Sequence, residues 1–114
     1  MGTWGTGLFD DDMAADMRVQ WEAALADGIA PDRATQALVA EWGEETEDID
    51  VGPVFWIVLA MLQLEAGALE ESVRERALES IEPNEERWRD EADPDDAAAR
   101  AQVLADVRRR LERR

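Results

Sequence analysis

The stretch Pro53–Gly67, PVFWIVLAMLQLEAG, decides the fold. Its apolar run from Val54 to Leu62 is unbroken. The β-branched and aromatic residues of 54–59 suit a strand. The run then continues through Ala60, Met61 and Leu62, longer than a buried strand usually extends. Pro53 suits the first helical position, and Gly67 suits the left-handed position that ends a helix. We therefore read a helix that is apolar almost all round to Leu64, which belongs in the middle of a bundle. The run is far short of the ~20 residues a membrane span needs.

Helical signals lie on both sides. Asp10 or Asp12 suits the N-cap of a first helix, with acids in its first turn. Met13, Met17, Trp21, Ala24 and Leu25 recur on one face, and Gly28 suits the C-terminal position. Pro31 opens a second helix, with Ala34, Ala37, Leu38 and Trp42 inward and Gly43 at its end. GEETEDIDVG (43–52) reads as a solvated loop. ALEESVRERALESIE is a fourth helix, with Leu69, Val73, Ala77 and Ile81 inward, stopped by Pro83. NEERWRDEA forms at most a short helical turn that presents Trp88. Asp93 then suits the cap of a last helix opened by Pro94, with Ala97, Val103, Leu104, Val107 and Leu111 inward. No segment alternates as a strand would. The expectation is one all-α domain over 1–114, a compact bundle of about five helices built from helical hairpins. Trp21, Trp42 and Trp56 are assigned to its core.

The 114-residue chain contains 28 acids and 12 basic residues, for a net charge of −16. All the basic residues are Arg, and Cys, His and Lys are absent. These absences remove thiolate metal sites, the usual general base near neutral pH and Schiff-base chemistry. Ser72 and Ser80 therefore have no His or Lys to activate them. The charge is uneven, −14 over residues 1–73 and −2 over 74–114, and the final DVRRRLERR carries +3. The arginines there suit a solvated helix end or a dock for an acidic partner. A charged acidic opening does not resemble a signal peptide. We read a cytoplasmic protein with no cofactor, no nucleic-acid partner and no membrane partner, because its charge repels phosphates and anionic lipids.

The opening MGTWGTGLFDDDMAADM sets three glycines before an acidic helix start. A phosphate loop does not fit, since carboxylates occupy the place of the phosphate. An ordered arm fits better, with Trp4 and Phe9 pinned into the core between turn-forming glycines. Met1, Gly2, Trp4, Gly5, Gly7, Phe9, Asp12 and Ala14 match the pattern Met-Gly-x-Trp-Gly-x-Gly-x-Phe-x-x-Asp-x-Ala. Over about 16 residues the chain thus resembles a bacterial domain-of-unknown-function family, the one numbered forty-two fifty-nine. The resemblance implies an ordered arm and carries no activity. A helix–Gly–helix pattern also repeats, at Gly28 and Gly67. The second hairpin, residues 54–84, is similar to one tetratricopeptide unit, with its glycine displaced by one place. A superhelical array would need about three such units.

Asp12 and Asp16, one turn apart, read as a capping cluster or a divalent-cation site. The densest cluster is Glu41, Glu44, Glu45, Glu47, Asp48 and Asp50, with no cation among them. To it we add Trp88, between Arg87 and Arg89, as an exposed interface aromatic; the anchor is Trp88 or the apolar pair Ile49 and Val51. The six acids and Trp88 are the candidate binding site, with no catalytic and no metal residue. The expected function is non-enzymatic: an immunity protein or inhibitor meeting a basic protein surface. The alternatives are a nucleic-acid mimic occupying a DNA-binding site, or a protein whose acidity has no specific partner. A mimic should space its carboxylates along one long face. A binder of the immunity type should set an apolar or aromatic centre within an acidic patch.

Overall fold

The computed structural model describes Gly7 and residues 11–113. The burial of Trp4 and Phe9, the ordering of the arm and capping by Asp10 lie outside the described residues. Five α-helices and no strand occur among those described: α1 (Asp12–Ala26), α2 (Pro31–Glu41), α3 (Gly52–Glu65), α4 (Glu71–Glu91) and α5 (Pro94–Glu112). A short 3₁₀ turn, Glu45–Glu47, lies between α2 and α3.

Helix α3 is the centre of the bundle, as its all-round apolarity predicts. It packs against α1, α4, α5 and the 3₁₀ turn. Phe55, Ile57, Val58, Leu59 and Ala60 are fully buried. Met17 and Trp21 of α1, Leu38 of α2, Val73, Ala77 and Ile81 of α4, and Leu104, Val107 and Leu111 of α5 close round it. Burial of each large apolar side chain contributes roughly 1.5–3 kcal/mol.

Gln63, 1% exposed, is the polar exception on α3. Its Nε2 donates to Thr35 Oγ1 and to Glu70 Oε1, each at 2.8 Å, and its Oε1 accepts from the Glu70 amide at 3.0 Å. One buried amide thereby joins α2, α3 and the start of α4, with its hydrogen-bonding groups satisfied.

The two helix–Gly–helix turns are built alike. Gly28 has φ 85° and Gly67 has φ 71°, the left-handed region open to glycine. After α1, Gly28 N donates to Leu25 O and Ile29 N to Ala24 O. After α3, Gly67 N donates to Leu64 O and Ala68 N to Gln63 O. Both ends are Schellman motifs.

Several details depart from the sequence reading. The first cap is Asp11, not Asp12: its Oδ1 accepts from the Met13 and Ala14 amides at 2.8 and 3.2 Å. Asp93 occupies the N-cap position of α5, but its side chain makes no capping hydrogen bond. Ala37 is exposed on α2, whose buried face is Ala34, Thr35 and Leu38. Trp21 alone of the three core tryptophans is fully buried. Trp42 and Trp56 are half-buried, and the Trp42 indole N–H finds a partner at this rim. Trp42 Nε1 donates to Gln20 Oε1 at 3.1 Å, and the Arg76 guanidinium sits 4.5 Å from the Trp56 ring centroid.

Pro83 does not stop α4. The helix runs through it to Glu91, so NEERWRDEA is its last part rather than a separate turn. Proline removes one backbone donor and disfavours the preceding turn, at about 3 kcal/mol. The ring of Pro83 faces solvent, while Ile81 and Asn84 beside it are 2% and 1% exposed. Packing of that inner face against α3 and α5 outweighs the local penalty.

Candidate interaction face

The acidic segment after α2 is solvated as expected at Glu44 and over residues 47–50, but it is folded into a hydrogen-bonded turn. Thr46 Oγ1 donates to Gly43 O at 2.7 Å, and Thr46 N donates to Trp42 O at 3.1 Å. Asp48 Oδ1 accepts from the amides of Asp50 and Val51 at 2.8 and 2.9 Å, and Gly52 N donates to Asp48 O. This Asx-type arrangement leads the chain directly into α3. The amides of Val51 and then Asp50, with the Arg87 charge, hold the Asp48 carboxyl below its ordinary value; partial desolvation opposes them. A Cβ on buried Gly52 would lie 2.6 Å from Thr46 O, so only glycine lets the turn close against α3.

This folding separates the six clustered acids. Asp48 is occupied by backbone amides. Glu45 is half-buried, while Glu44, Glu47 and Asp50 are exposed. Glu41, the last residue of α2, lines a different groove, with Gln20, Ala24, Ala34, Ala37 and Leu38. The turn is joined to α4 by Arg87, whose Nη1 donates to Asp50 O at 3.2 Å and whose Nε lies 3.5 Å from Glu91. Ile49 and Asp50 then share a groove with Pro83, Glu86, Arg87, Asp90 and Glu91.

Trp88 is not the freely exposed aromatic that its polar neighbours suggest. It is half-buried, with the Arg100 guanidinium 5.0 Å from its ring centroid. Arg100 is itself only 2% exposed, and its Nε donates to Asn84 Oδ1 at 3.0 Å. The open edge of Trp88 lines a small groove with Arg87, Glu91 and Ala92. Arg87 and Glu91 line both this groove and the one at Ile49. Of the seven candidate residues, the structure thus brings Asp50 and Trp88 to adjoining grooves and takes Glu41 elsewhere.

The strongest apolar feature of this face is Ile49. It is 86% exposed, the most exposed large hydrophobic among the described residues. It stands on a pinned turn with Asp48 and Asp50 beside it and Glu86, Asp90 and Glu91 across the groove.

A second feature was not singled out by sequence reasoning. Glu75, Glu79, Glu82, Glu86 and Asp90 are all exposed on α4 and lie opposite its buried residues Val73, Ala77, Ser80, Ile81 and Asn84. At 100° per residue they fall within about 80° of arc. None forms an ion pair with a described residue. The other acids of this helix do: Glu71 with Arg74, Glu85 with Arg89 and Glu91 with Arg87. The periodicity was visible in the sequence, but the expected stop at Pro83 cut the row in two.

Arg108, Arg109 and Arg110 near the C-terminus are engaged locally. Arg109 and Arg110 pair with Asp106 at 2.9 and 3.0 Å, and Arg108 lies 4.0 Å from Glu112. The hydrogen bond from Arg109, and the nearby positive charges, hold Asp106 below its ordinary value. Among the described residues no three carboxylates gather to hold a metal ion, and no helix is long and apolar enough to cross a membrane. No family model, curated protein or solved structure matches this chain.

Proposed function

We propose that this protein is a non-enzymatic acidic interaction protein that binds a basic protein surface, an immunity protein or inhibitor being the concrete form. The observation that carries this reading is Ile49, 86% exposed, with Asp48 and Asp50 beside it in sequence and Glu86, Asp90 and Glu91 lining the same groove. A single exposed isoleucine is ordinary on a surface. One held on a hydrogen-bonded turn, between acids, is a preformed apolar contact inside an acidic patch. Exposed charge mainly speeds encounter and is screened over ~8 Å at physiological salt. Affinity then rests on the apolar centre, Ile49 with the open edge of Trp88.

The test is capture from a native lysate at low and moderate salt. It compares wild type with Ile49→Ala and with a variant carrying Gln at Glu44 and Glu47 and Asn at Asp50. Both variants should lose the same basic proteins. If both retain them, the face around Ile49 is not a recognition element.

The row of acids on α4 favours nucleic-acid mimicry as a second reading. Its charges recur about every 5–6 Å along the helix, whereas one DNA strand carries a phosphate per ~3.4 Å of axis. The row therefore reaches little more than half the charge density of one strand, and we keep mimicry second. A mimic's captured proteins should be displaced by excess duplex DNA.

A further inference from the structure

Resting on the reading of an acidic binder, we propose that the partner presents a basic α-helix, which lies along α4 with a cation at each turn and one apolar side chain against Ile49 and Pro83. The α4 row is an unpartnered helix face, and its complement must be cationic. Its steps of four, three, four and four residues are those of one face of a helix. A partner helix with Arg or Lys at that spacing advances by the same rise of about 1.5 Å per residue and stays in register throughout. An extended segment places same-face side chains about 6.7 Å apart, so it slips by about 1 Å at each step. Over the whole row it would be about 4 Å out of register, more than an ion pair tolerates.

The groove that holds Ile49 and Pro83 sits at one end of the row. Glu86 and Asp90 belong both to the row and to the groove that holds Ile49 and Pro83. The same contact therefore supplies charge along one line and a desolvated anchor beside it. Arg87, already held by Glu91 and the Asp50 carbonyl, marks the far wall and opposes a cation there.

The experiment measures the binding of fluorescent, alanine-based helical peptides to the full chain by anisotropy at moderate salt. One peptide carries five arginines at the four-three-four-four spacing and one leucine beside them. The other has the same composition, with its arginines distributed round the helix. The spaced peptide should bind about tenfold more tightly, as expected from a few exposed pairs acting together. A chain with Gln at Glu75, Glu79, Glu82 and Glu86 and Asn at Asp90 should lose that preference while circular dichroism shows its helix content unchanged. Equal binding of the two peptides overturns the inference, as does a preference that survives in this variant. If neutralising the exposed acids of the 43–51 turn abolishes binding of both peptides while the α4 variant binds like wild type, the helix inference fails and the acidic-binder reading stands. If neither peptide binds even at low salt, both fail.

Discussion

In the turn at 43–51 a carboxylate is part of the backbone architecture, whereas on the outer face of α4 carboxylates project from a helix that does not need them. Asp48 accepts two amide hydrogen bonds and leads the chain into α3. Glu75, Glu79, Glu82, Glu86 and Asp90 are exposed, and no hydrogen bond or ion pair ties their side chains to other described residues. The two regions have similar composition and opposite dependence on charge. In the turn, the charged form of Asp48 stabilises the fold. On α4, acids one turn apart repel one another. A row that costs stability and serves no local structure is the more informative of the two about recognition.

The largest expected effect breaks the turn. Gly52→Ala forces a Cβ to 2.6 Å from the Thr46 carbonyl, a backbone atom that cannot swing aside. The penalty should be about 3 kcal/mol, at the upper end for overpacking. Chemical denaturation reads it directly, and a midpoint equal to wild type would show that the turn does not close against α3 in solution.

Next in size, Pro83→Ala tests whether α4 is one helix. Proline is about 3 kcal/mol poorer than alanine inside a helix, and its stiffening of the unfolded chain returns about 1 kcal/mol. A gain of about 1–2 kcal/mol is expected, read as a higher melting temperature. Destabilisation instead would mean that Pro83 ends the helix and that the acidic row is two unrelated pieces.

Neutralising the row should also stabilise. Each of its four like-charge neighbour pairs costs a few tenths of a kcal/mol, so the five-residue variant should gain about 1 kcal/mol at low salt. The gain should shrink as added salt screens the repulsion. A loss of stability would show that these acids hold the fold, as Asp48 does, and would weaken their assignment to recognition.

How far all this was legible depends on the physics that each residue answers to. Periodicity and punctuation placed α3, both Schellman glycines and most of the inward faces, because apolar spacing and glycine at positive φ are local signals. Pro83 misled, because its penalty is local while the packing that outweighs it comes from α3 and α5. Arg100 was missed although it falls between Ala97 and Leu104 on the inward face of α5. Charge argued for exposure, and only tertiary structure supplies Asn84 and the Trp88 ring as its cover. That cover also explains why Trp88 is half-buried. Asp48 and Glu47 are adjacent acids in one run, and nothing in composition says which is held by amides. Ile49 was legible as an apolar residue among acids, but its position opposite Glu86 and Asp90 depends on Arg87 holding the turn to α4.

The smallest expected effect sharpens the contrast through pH. Asp48→Asn keeps an oxygen that can accept the Asp50 and Val51 amides and removes the charge. The folded state holds the Asp48 carboxyl below its ordinary value of 3.8. A carboxyl lowered in this way contributes stability above its unfolded value, and that contribution is lost as pH falls through the folded one. Wild type should therefore be slightly more stable than Asp48→Asn at neutral pH. The two curves should converge as the pH drops below 3.8. The same substitution in the row, Glu86→Gln, should have the opposite sign at neutral pH, because it removes repulsion from Glu82 and Asp90. Thermal melts of the two variants across this range decide the matter. If both variants move the same way, the turn and the helix do not differ in how they use charge.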